Sequence, residues 1–333
     1  MLKIDIKPIA LLSLAALVSF QCLAFDIIAH RGASGYLPEH TLAATTMAFA
    51  QQPDYIEQDL VITSDGELVV LHDIHLETVT NVATMFPDRH REDGRFYALD
   101  FTLAELRSLT VHERTDSQGK QVYANRYQGE GQFKVATFTE HLSTIRSLNA
   151  TTGESVGLYS EIKSPAWHRE QGIDISKAVL KVLRAHNLDD AAANIYIQCF
   201  DFEEIKRLRQ ELGAKVKLIQ LIAENSWNET PTNYDALKTV AGMQELTQYV
   251  QGIGPWLGHV TRYEQGQPTT ELTDWMMAAQ QAGLLIHPYT FRLDALPPGI
   301  TAEQLLMLMV KKWQFDGVFT DQVPPVKRFL QSQ

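Results

Sequence analysis

A regular alternation of short apolar segments with helix-like segments is the feature that most constrains the fold. Eight strand-like segments begin at residues 26, 55, 156, 195, 217, 252, 284 and 317, and helix-like segments separate most of them. Such alternation is typical of parallel strands, and eight strands favour a closed (β/α)8 barrel, the TIM barrel. A chain of 333 residues is long enough for one large α/β domain of this kind.

One long irregular stretch interrupts the alternation after the second strand. Asp65-Gly66 predicts a hairpin turn that leads into an antiparallel arm ending at His72. The residues that follow, about 75–135, have polar turns and only one short helical pattern, 103–109, for which Thr102 is a suitable N-cap. We therefore predict an insertion subdomain after the second strand and its hairpin, forming a wall of a cleft.

Polar side chains are concentrated where the predicted strands end. His30 and Arg31 follow the first strand, and the hairpin returns His72 to the same end of the sheet as Glu57 and Asp59 on the second. Reactive groups of such barrels come from the carboxyl ends of the strands. The remaining predicted strand ends carry Glu161, Lys163, Gln198, Phe200, Tyr289 and Asp321.

The types of residue at these strand ends indicate a chemistry. Glu57 and Asp59 share one face of a strand, and with Glu161 they make an all-oxygen site for a hard divalent cation such as Ca²⁺ or Mg²⁺. An exposed face of an edge strand is the alternative interpretation of the pair. His30 and His72 would supply one general base and one general acid. Together with cationic groups for an anion, this set is suited to phosphoryl transfer.

Four motifs in order resemble the glycerophosphodiester phosphodiesterase family, with most similarity to its periplasmic bacterial form. They are His30-Arg31-Gly32, Glu57-Gln58-Asp59, His72-Asp73 and Glu161-Ile162-Lys163, and similarity extends to the segments 86–89, 198–201 and 287–290. The resemblance implies a TIM barrel that hydrolyses glycerophosphodiesters, such as glycerophosphocholine, -ethanolamine and -glycerol, to sn-glycerol 3-phosphate and an alcohol.

The resemblance also implies a role for each matching residue. His30 and His72 would be the acid/base pair, and Glu57, Asp59 and Glu161 would bind one divalent cation, Ca²⁺ before Mg²⁺. The substrate and its phosphate would contact a further set of residues, namely Arg31, Lys163, Gln198, Phe200 and Tyr289. For Phe200 and Tyr289, packing in the barrel explains an aromatic residue equally well. His40 and His287 are interpreted as structural.

Two other functions are compatible with the same residues. A metal-dependent sugar isomerase would use carboxylates, lysine and histidine in a barrel, although it gives no reason for Arg31 beside the first histidine. An exported binding protein could have kept the barrel without turnover. Replacement of His30 or His72 by alanine separates an enzyme from a binding protein.

Composition and the first residues bear on partners and location. The formal net charge of −11 argues against nucleic acid or an anionic membrane surface as the main partner. Residues 1–24 combine Lys3 and Lys7 with an apolar run and a small residue at Ala24, which predicts a cleaved signal peptide and a periplasmic location. Cleavage would leave Cys199 as the only cysteine, so no intramolecular disulfide is expected. The apolar run of residues 9–20 is too short to span a bilayer comfortably, so no stable membrane insertion is expected. The sequence makes no prediction of oligomeric state.

Overall fold

The computed structural model describes residues 25–264 and 266–333, so the predicted signal peptide at 1–24 lies outside the described residues. The strands are β1 (Asp26–Ala29), β2 (Tyr55–Ile62), β3 (Leu68–Val70), β4 (Gly157–Ile162), β5 (Ile195–Cys199), β6 (Lys217–Ile222), β7 (Gly252–Pro255), β8 (Thr261–Glu264), β9 (Gln267–Leu272), β10 (Leu285–Ile286) and β11 (Gly317–Thr320). The α-helices are α1 (Leu42–Ala50), α2 (Val82–Met85), α3 (Leu103–Ser108), α4 (Phe138–Thr152), α5 (Pro165–Glu170), α6 (Ile175–Ala185), α7 (Phe202–Gln210), α8 (Tyr234–Leu237), α9 (Val240–Leu246), α10 (Asp274–Gln281), α11 (Ala302–Met307) and α12 (Val323–Gln331).

Eight parallel strands form the barrel in the order β10-β7-β6-β5-β4-β2-β1-β11. The segment after β10 completes the circle, because Phe291 N donates to Phe319 O at 2.8 Å and Phe319 N donates to Pro288 O at 3.0 Å. Strand β3 pairs antiparallel with β2, and β8 and β9 form a separate hairpin. The predicted (β/α)8 class is therefore confirmed.

Burial explains why the barrel strands are so apolar. All eight residues of β2 are buried, as expected for parallel strands that are covered on both faces. One apolar cluster fills the barrel interior and includes Tyr55, Tyr159 and Tyr196. A larger cluster packs the outer faces of the strands against the helices. The strands are thus held rigidly, and their carboxyl ends can place side chains accurately.

The insertion has an apolar cluster of its own. Val69 of the hairpin packs there with Leu76, Phe101 and Leu106, and Thr102 begins α3 with a capping box, as the sequence predicted. A second capping box at Thr137 begins α4, where the chain returns to the barrel. The insertion is therefore fixed to the outer side of the β2–β3 hairpin.

Some local predictions were wrong. The sequence pattern predicts one helix over 237–249, but the structure has α9 within this range, with α8 ending at Leu237, because Thr239 has an extended backbone and caps α9 through Gly242 N. The strand-like segment that begins at residue 284 is regular only over β10, although its pairing with β7 continues, because His287 N donates to Ile253 O and Tyr289 N to Pro255 O, each at 3.0 Å. The β8–β9 hairpin was not predicted. None of the described helices combines the length and apolar composition that a membrane crossing requires.

Candidate active site

The carboxyl ends of the barrel strands surround a cleft of about 210 Å³. Its lining combines ionisable groups with aromatic rings: His30, Arg31, Glu57, Asp59, His72, Glu161, Gln198, Phe200, Leu221, Trp227, Trp256, Tyr289, Thr290, Arg292 and Phe319. None of the residues 75–135, all of which the structure describes, belongs to this lining. The insertion does not wall the cleft, contrary to the expectation from sequence.

The strand register brings the acidic residues together. Glu57 and Asp59 lie two residues apart on β2, so that their side chains share one face. Asp59 is the register partner of Glu161 on β4, and Glu161 is the partner of Gln198 on β5. Three neighbouring strands therefore present polar side chains at one level of the barrel.

Both β2 carboxylates are held by hydrogen bonds, and one oxygen of Asp59 is left without one in the part of the chain that the structure describes. Glu57 accepts from Arg31 N at 2.6 Å and from Gln198 Nε2 at 3.4 Å. Asp59 Oδ2 lies 2.7 Å from His40 Nε2, which must donate because a carboxylate only accepts. Asp59 Oδ1 is buried without a hydrogen-bond partner among the described residues. Such an oxygen is suited to a cation.

Burial of these negative charges is unfavourable when no cation is bound. Burial and the neighbouring Asp59 carboxylate raise the pKa of Glu57 well above its usual range. Burial also raises the pKa of Glu161 well above its usual range, although the Lys163 ammonium opposes this effect. For Asp59, burial is outweighed by the His40 hydrogen bond and nearby cationic groups, which lower its pKa well below the usual range. A divalent cation would relieve the repulsion between these acids.

The donor set fits such a cation. Atoms of Glu57, Asp59 and His40 lie within 4.8 Å of one another, and the two carboxylates are the suitable ligands, because His40 Nε2 carries the proton that it donates to Asp59. The predicted third ligand, Glu161, lines the same cleft, but its Oε1 lies 2.8 Å from Lys163 Nζ. Two of the three predicted ligands, Glu57 and Asp59, are therefore brought together, while Glu161 lines the same cleft outside this group. The structure adds His40, which the sequence analysis treated as structural, as a hydrogen-bond donor to Asp59.

The two histidines have matching environments. His30 Nδ1 lies 2.6 Å from Asp321 Oδ1, and His72 Nδ1 lies 2.6 Å from Asp73 Oδ1. Burial, with the Arg31 guanidinium, lowers the pKa of His30 to about 3 and that of His72 to about 4. Each neutral ring donates from Nδ1 to its carboxylate and keeps a lone pair on Nε2.

Cationic side chains stand beside these groups. Arg31 has a left-handed backbone (φ 56°), and its Nη1 donates to Glu39 at 3.0 Å. Its Nε is buried without a hydrogen-bond partner in the described part of the chain. Lys163 Nζ lies 5.5 Å from the centre of the Phe200 ring. Strained backbone is common at functional sites, and an unpaired guanidinium N–H can donate to an anion.

Comparison with known proteins identifies the relatives of this chain. The model of the glycerophosphoryl diester phosphodiesterase family matches residues 30–324. The chain belongs to this family. It is 43% identical over 315 residues to a glycerophosphodiester phosphodiesterase of Haemophilus influenzae, covering 89% of this chain and 86% of the relative. It is 36% identical over 327 residues to one of Treponema pallidum, covering 92% of each chain.

Solved structures of similar fold include other proteins named as family members. A glycerophosphodiester phosphodiesterase of Agrobacterium tumefaciens has a TM-score of 0.58 at 19% identity, with 91% of this chain and 99% of that one covered. An Oleispira antarctica phosphodiesterase, solved in complex with the product sn-glycerol-3-phosphate, has a TM-score of 0.60 at 19% identity, with 92% and 96% covered. At such identities these structures support the barrel fold.

The structure of this glycerophosphoryl diester phosphodiesterase family member brings the sequence-predicted residues together. Nine of the ten line the cleft: His30, Arg31, Glu57, Asp59, His72, Glu161, Gln198, Phe200 and Tyr289. The tenth, Lys163, contacts Glu161 directly. The ring centres of Phe200 and Tyr289 are 5.8 Å apart in an edge-to-face arrangement. The individual roles of these residues stay predictions.

Sequence reasoning missed several contributors to the cleft. Arg292 lines it and donates from Nε to Asp321 at 2.8 Å, and Trp227 and Trp256 form its outer aromatic edge. The two tryptophans had no distinctive spacing in the sequence. Asp321 was recognised only as a strand-end residue, and its contact with His30 could not be foreseen across 291 positions.

Proposed function

We propose that this protein hydrolyses glycerophosphodiesters, including glycerophosphocholine, -ethanolamine and -glycerol, to sn-glycerol 3-phosphate and the free alcohol. One observation carries the proposal. Two imidazoles, each held at Nδ1 by a carboxylate, line the same cleft as the Glu57 and Asp59 carboxylates. The names of the relatives support the same reaction, and the Oleispira protein was solved with sn-glycerol-3-phosphate.

Each group of residues has a distinct task in this proposal. Glu57, Asp59 and Glu161 hold one divalent cation, Ca²⁺ in preference to Mg²⁺, with His40 orienting Asp59. When bound, the cation supplies positive charge that offsets the charge of the phosphate. Arg31 and Lys163 bind the phosphate oxygens, and the unpaired Nε of Arg31 is a donor for this purpose.

The histidines move protons in two steps. One takes the proton from a glyceryl hydroxyl as its oxygen attacks phosphorus. The other, protonated at Nε2 when the anionic phosphate is bound, gives that proton to the alcohol as its P–O bond breaks. The product of this step is a cyclic phosphate. Water then opens the ring with the two histidines in reversed roles, which yields sn-glycerol 3-phosphate. Phe200 and Tyr289 provide an apolar surface for the glyceryl carbons.

The decisive experiment uses metal-stripped protein. Release of sn-glycerol 3-phosphate is measured enzymatically with a panel of glycerophosphodiesters, with Ca²⁺ or Mg²⁺ added back separately. We expect no release without a cation, and Ca²⁺ to restore more activity than Mg²⁺. Replacing His30 or His72 by alanine should lower kcat by about 10²–10⁴-fold, whereas His186→Ala on the surface should not.

Two results would contradict the proposal. The proposed reaction is wrong if no glycerophosphodiester releases sn-glycerol 3-phosphate with either cation, and retained substrate binding would then indicate a binding protein. The internal attack is wrong if a diester without the neighbouring glyceryl hydroxyl is cleaved as fast as glycerophosphocholine. Chemical analysis of the first product distinguishes the cyclic phosphate from the final monoester.

We also propose export to the periplasm. The charged and apolar pattern of residues 1–24 supports this location. Mass spectrometry of the protein from fractionated cells should find a mature chain that begins at Phe25. A full-length chain in the cytoplasmic fraction would contradict the proposal.

A further inference from the structure

We propose that the insertion belongs to the catalytic apparatus: Arg114 and Arg126 hold, from behind the cleft, the carboxylates that orient the two histidines. This inference rests on the proposed roles of His30 and His72. Both arginines are positioning residues, since neither lines the cleft. The insertion would thus set the geometry of proton transfer, in addition to covering one side of the barrel.

The first of the two contacts reaches His30. Arg126 Nη2 donates to Asp321 Oδ2 at 2.6 Å, while Asp321 Oδ1 is the oxygen that contacts His30 Nδ1. Arg126 is itself fixed, because Nε and Nη2 donate to Asp294 at 2.8 and 3.1 Å. Only 8% of Arg126 is exposed. A nearly buried arginine thus joins the insertion to the partner of a cleft histidine, and Arg292 binds the same oxygen from the barrel.

The second contact repeats the arrangement at His72. Arg114 Nη1 donates to Asp73 Oδ2 at 2.7 Å, and Asp73 Oδ1 contacts His72 Nδ1. The other donors of Arg114 bind Glu39, with Nη2 at 2.6 Å and Nε at 3.0 Å. Glu39 also accepts from Arg31. One guanidinium therefore restrains a histidine partner and, through Glu39, the arginine proposed to bind phosphate.

The shared pattern has a physical consequence. In each pair, one carboxylate oxygen accepts from imidazole Nδ1 and the other accepts from an arginine of the insertion. A carboxylate bonded at both oxygens cannot rotate freely, so it fixes the ring plane and holds the Nδ1 proton, which leaves Nε2 as the atom that takes or gives the catalytic proton. The insertion does not need these arginines for attachment alone, because its apolar cluster already packs against the hairpin.

Loss of this restraint should affect turnover more than binding. A catalytic group displaced by about 1 Å can lose on the order of 10²-fold in rate. We therefore expect Arg114→Gln to lower kcat for glycerophosphocholine by about 10²-fold, and Arg126→Gln to lower it less because Arg292 still bonds Asp321 Oδ2; KM should change less than about threefold in Arg126→Gln. Arg91→Gln is the matched control, because Arg91 is an insertion arginine that binds Asp100 with two donors, at 2.7 and 2.8 Å, away from the histidines.

A substrate with an activated leaving group gives the specific readout. p-Nitrophenolate leaves without a proton, so the histidine that acts as the acid is not needed for the first step on glycerol 3-phosphate p-nitrophenyl ester. We expect first-turnover release of p-nitrophenolate to be restored in one arginine variant and to stay low in the other. The restored variant identifies the arginine that positions the acid. A purely structural role would impair both substrates equally.

All variants are compared per folded molecule, with folding checked by circular dichroism. If a glutamine variant does not fold, Arg114→Lys or Arg126→Lys replaces it in the same test. Lysine keeps the positive charge but cannot donate to two carboxylates in the directions that the guanidinium does. The inference is wrong if the arginine variants keep the kcat of Arg91→Gln for glycerophosphocholine. It is also wrong if p-nitrophenolate release is restored in both variants or in neither. Should His30→Ala and His72→Ala also retain full activity, the proposed function fails as well, which separates the two conclusions.

Discussion

Replacement of Glu57 by glutamine should stabilise the cation-free protein while removing its response to a cation. Glu57 is 2% exposed, and one of its oxygens lies within 4.8 Å of an Asp59 oxygen. Glutamine keeps an oxygen that can accept from Arg31 N but removes the negative charge. The variant therefore separates the cost of burying two acids from their use as ligands.

The size of the effect follows from the geometry. Two unit charges 4.8 Å apart repel by about 3 kcal/mol at the effective dielectric constant suited to protein sites. Arg31 Nε lies 3.8 Å from Asp59 Oδ2 and offsets part of this repulsion. We expect a net gain of about 1–2 kcal/mol in the free energy of unfolding, where each kcal/mol raises Tm by about 2–4 °C. In the original protein, a cation at a hundredfold excess over its Kd should add about 2.7 kcal/mol.

Thermal unfolding with chelator and with added Ca²⁺ measures both quantities. The unmodified protein should have a higher Tm with Ca²⁺ than with chelator. In chelator, Glu57→Gln should have a higher Tm than the unmodified protein, and Ca²⁺ should raise the Tm of the variant little further. Glu67→Gln, an exposed position in the β2–β3 turn, controls for the loss of one negative charge. The reasoning is refuted if Glu57→Gln lowers Tm in chelator and still gains as much from Ca²⁺ as the original protein.

Three further predictions concern stability away from the cleft. Burial and the nearby Asp54 carboxylate raise the pKa of Asp26 to about 7. Because the folded state then binds the proton more tightly than the unfolded state, the free energy of unfolding should fall as the pH rises from about 4 to about 7. Urea titrations should find Asp26→Asn about 2 kcal/mol more stable than the unmodified protein at pH 8 but not at pH 4. Thr137→Ala removes the cap of α4 and should cost about 1 kcal/mol in urea unfolding, with Thr137→Ser restoring it. Glu204→Gln weakens the hydrogen bond from Arg207 to a fully buried carboxylate and should cost about 1–3 kcal/mol, because Arg207 keeps its pair with Asp174. The kcat per folded molecule should be unchanged, and loss of kcat would contradict this.

Much of the cleft could be predicted because one geometric rule governs it. Parallel strands end at the same edge, so the residues that follow them converge whatever their distance along the chain. Asp59 and Glu161 are separated by the whole insertion, yet the register makes them neighbours. His72 was placed correctly because a two-stranded hairpin must return to the level at which it began.

No comparable rule predicts the residues that hold the cleft side chains in position. Arg114 and Arg126 lie in a segment without helical or strand periodicity, so nothing in the sequence indicates where their guanidinium groups point. His40 reaches Asp59 through a left-handed backbone (φ 60°) that no local residue preference requires. Each contact depends on packing of the insertion against the finished barrel, which a one-dimensional pattern does not specify.

The pairing of His30 with Asp321 joins the first strand of the barrel to the last, across 291 positions of the chain. A ribosome must therefore release almost the entire polypeptide before this imidazole acquires its carboxylate partner. Nascent or C-terminally shortened forms would carry the early motifs intact and still lack an oriented proton carrier. Hydrolytic competence therefore requires the last strand of the barrel to be in place.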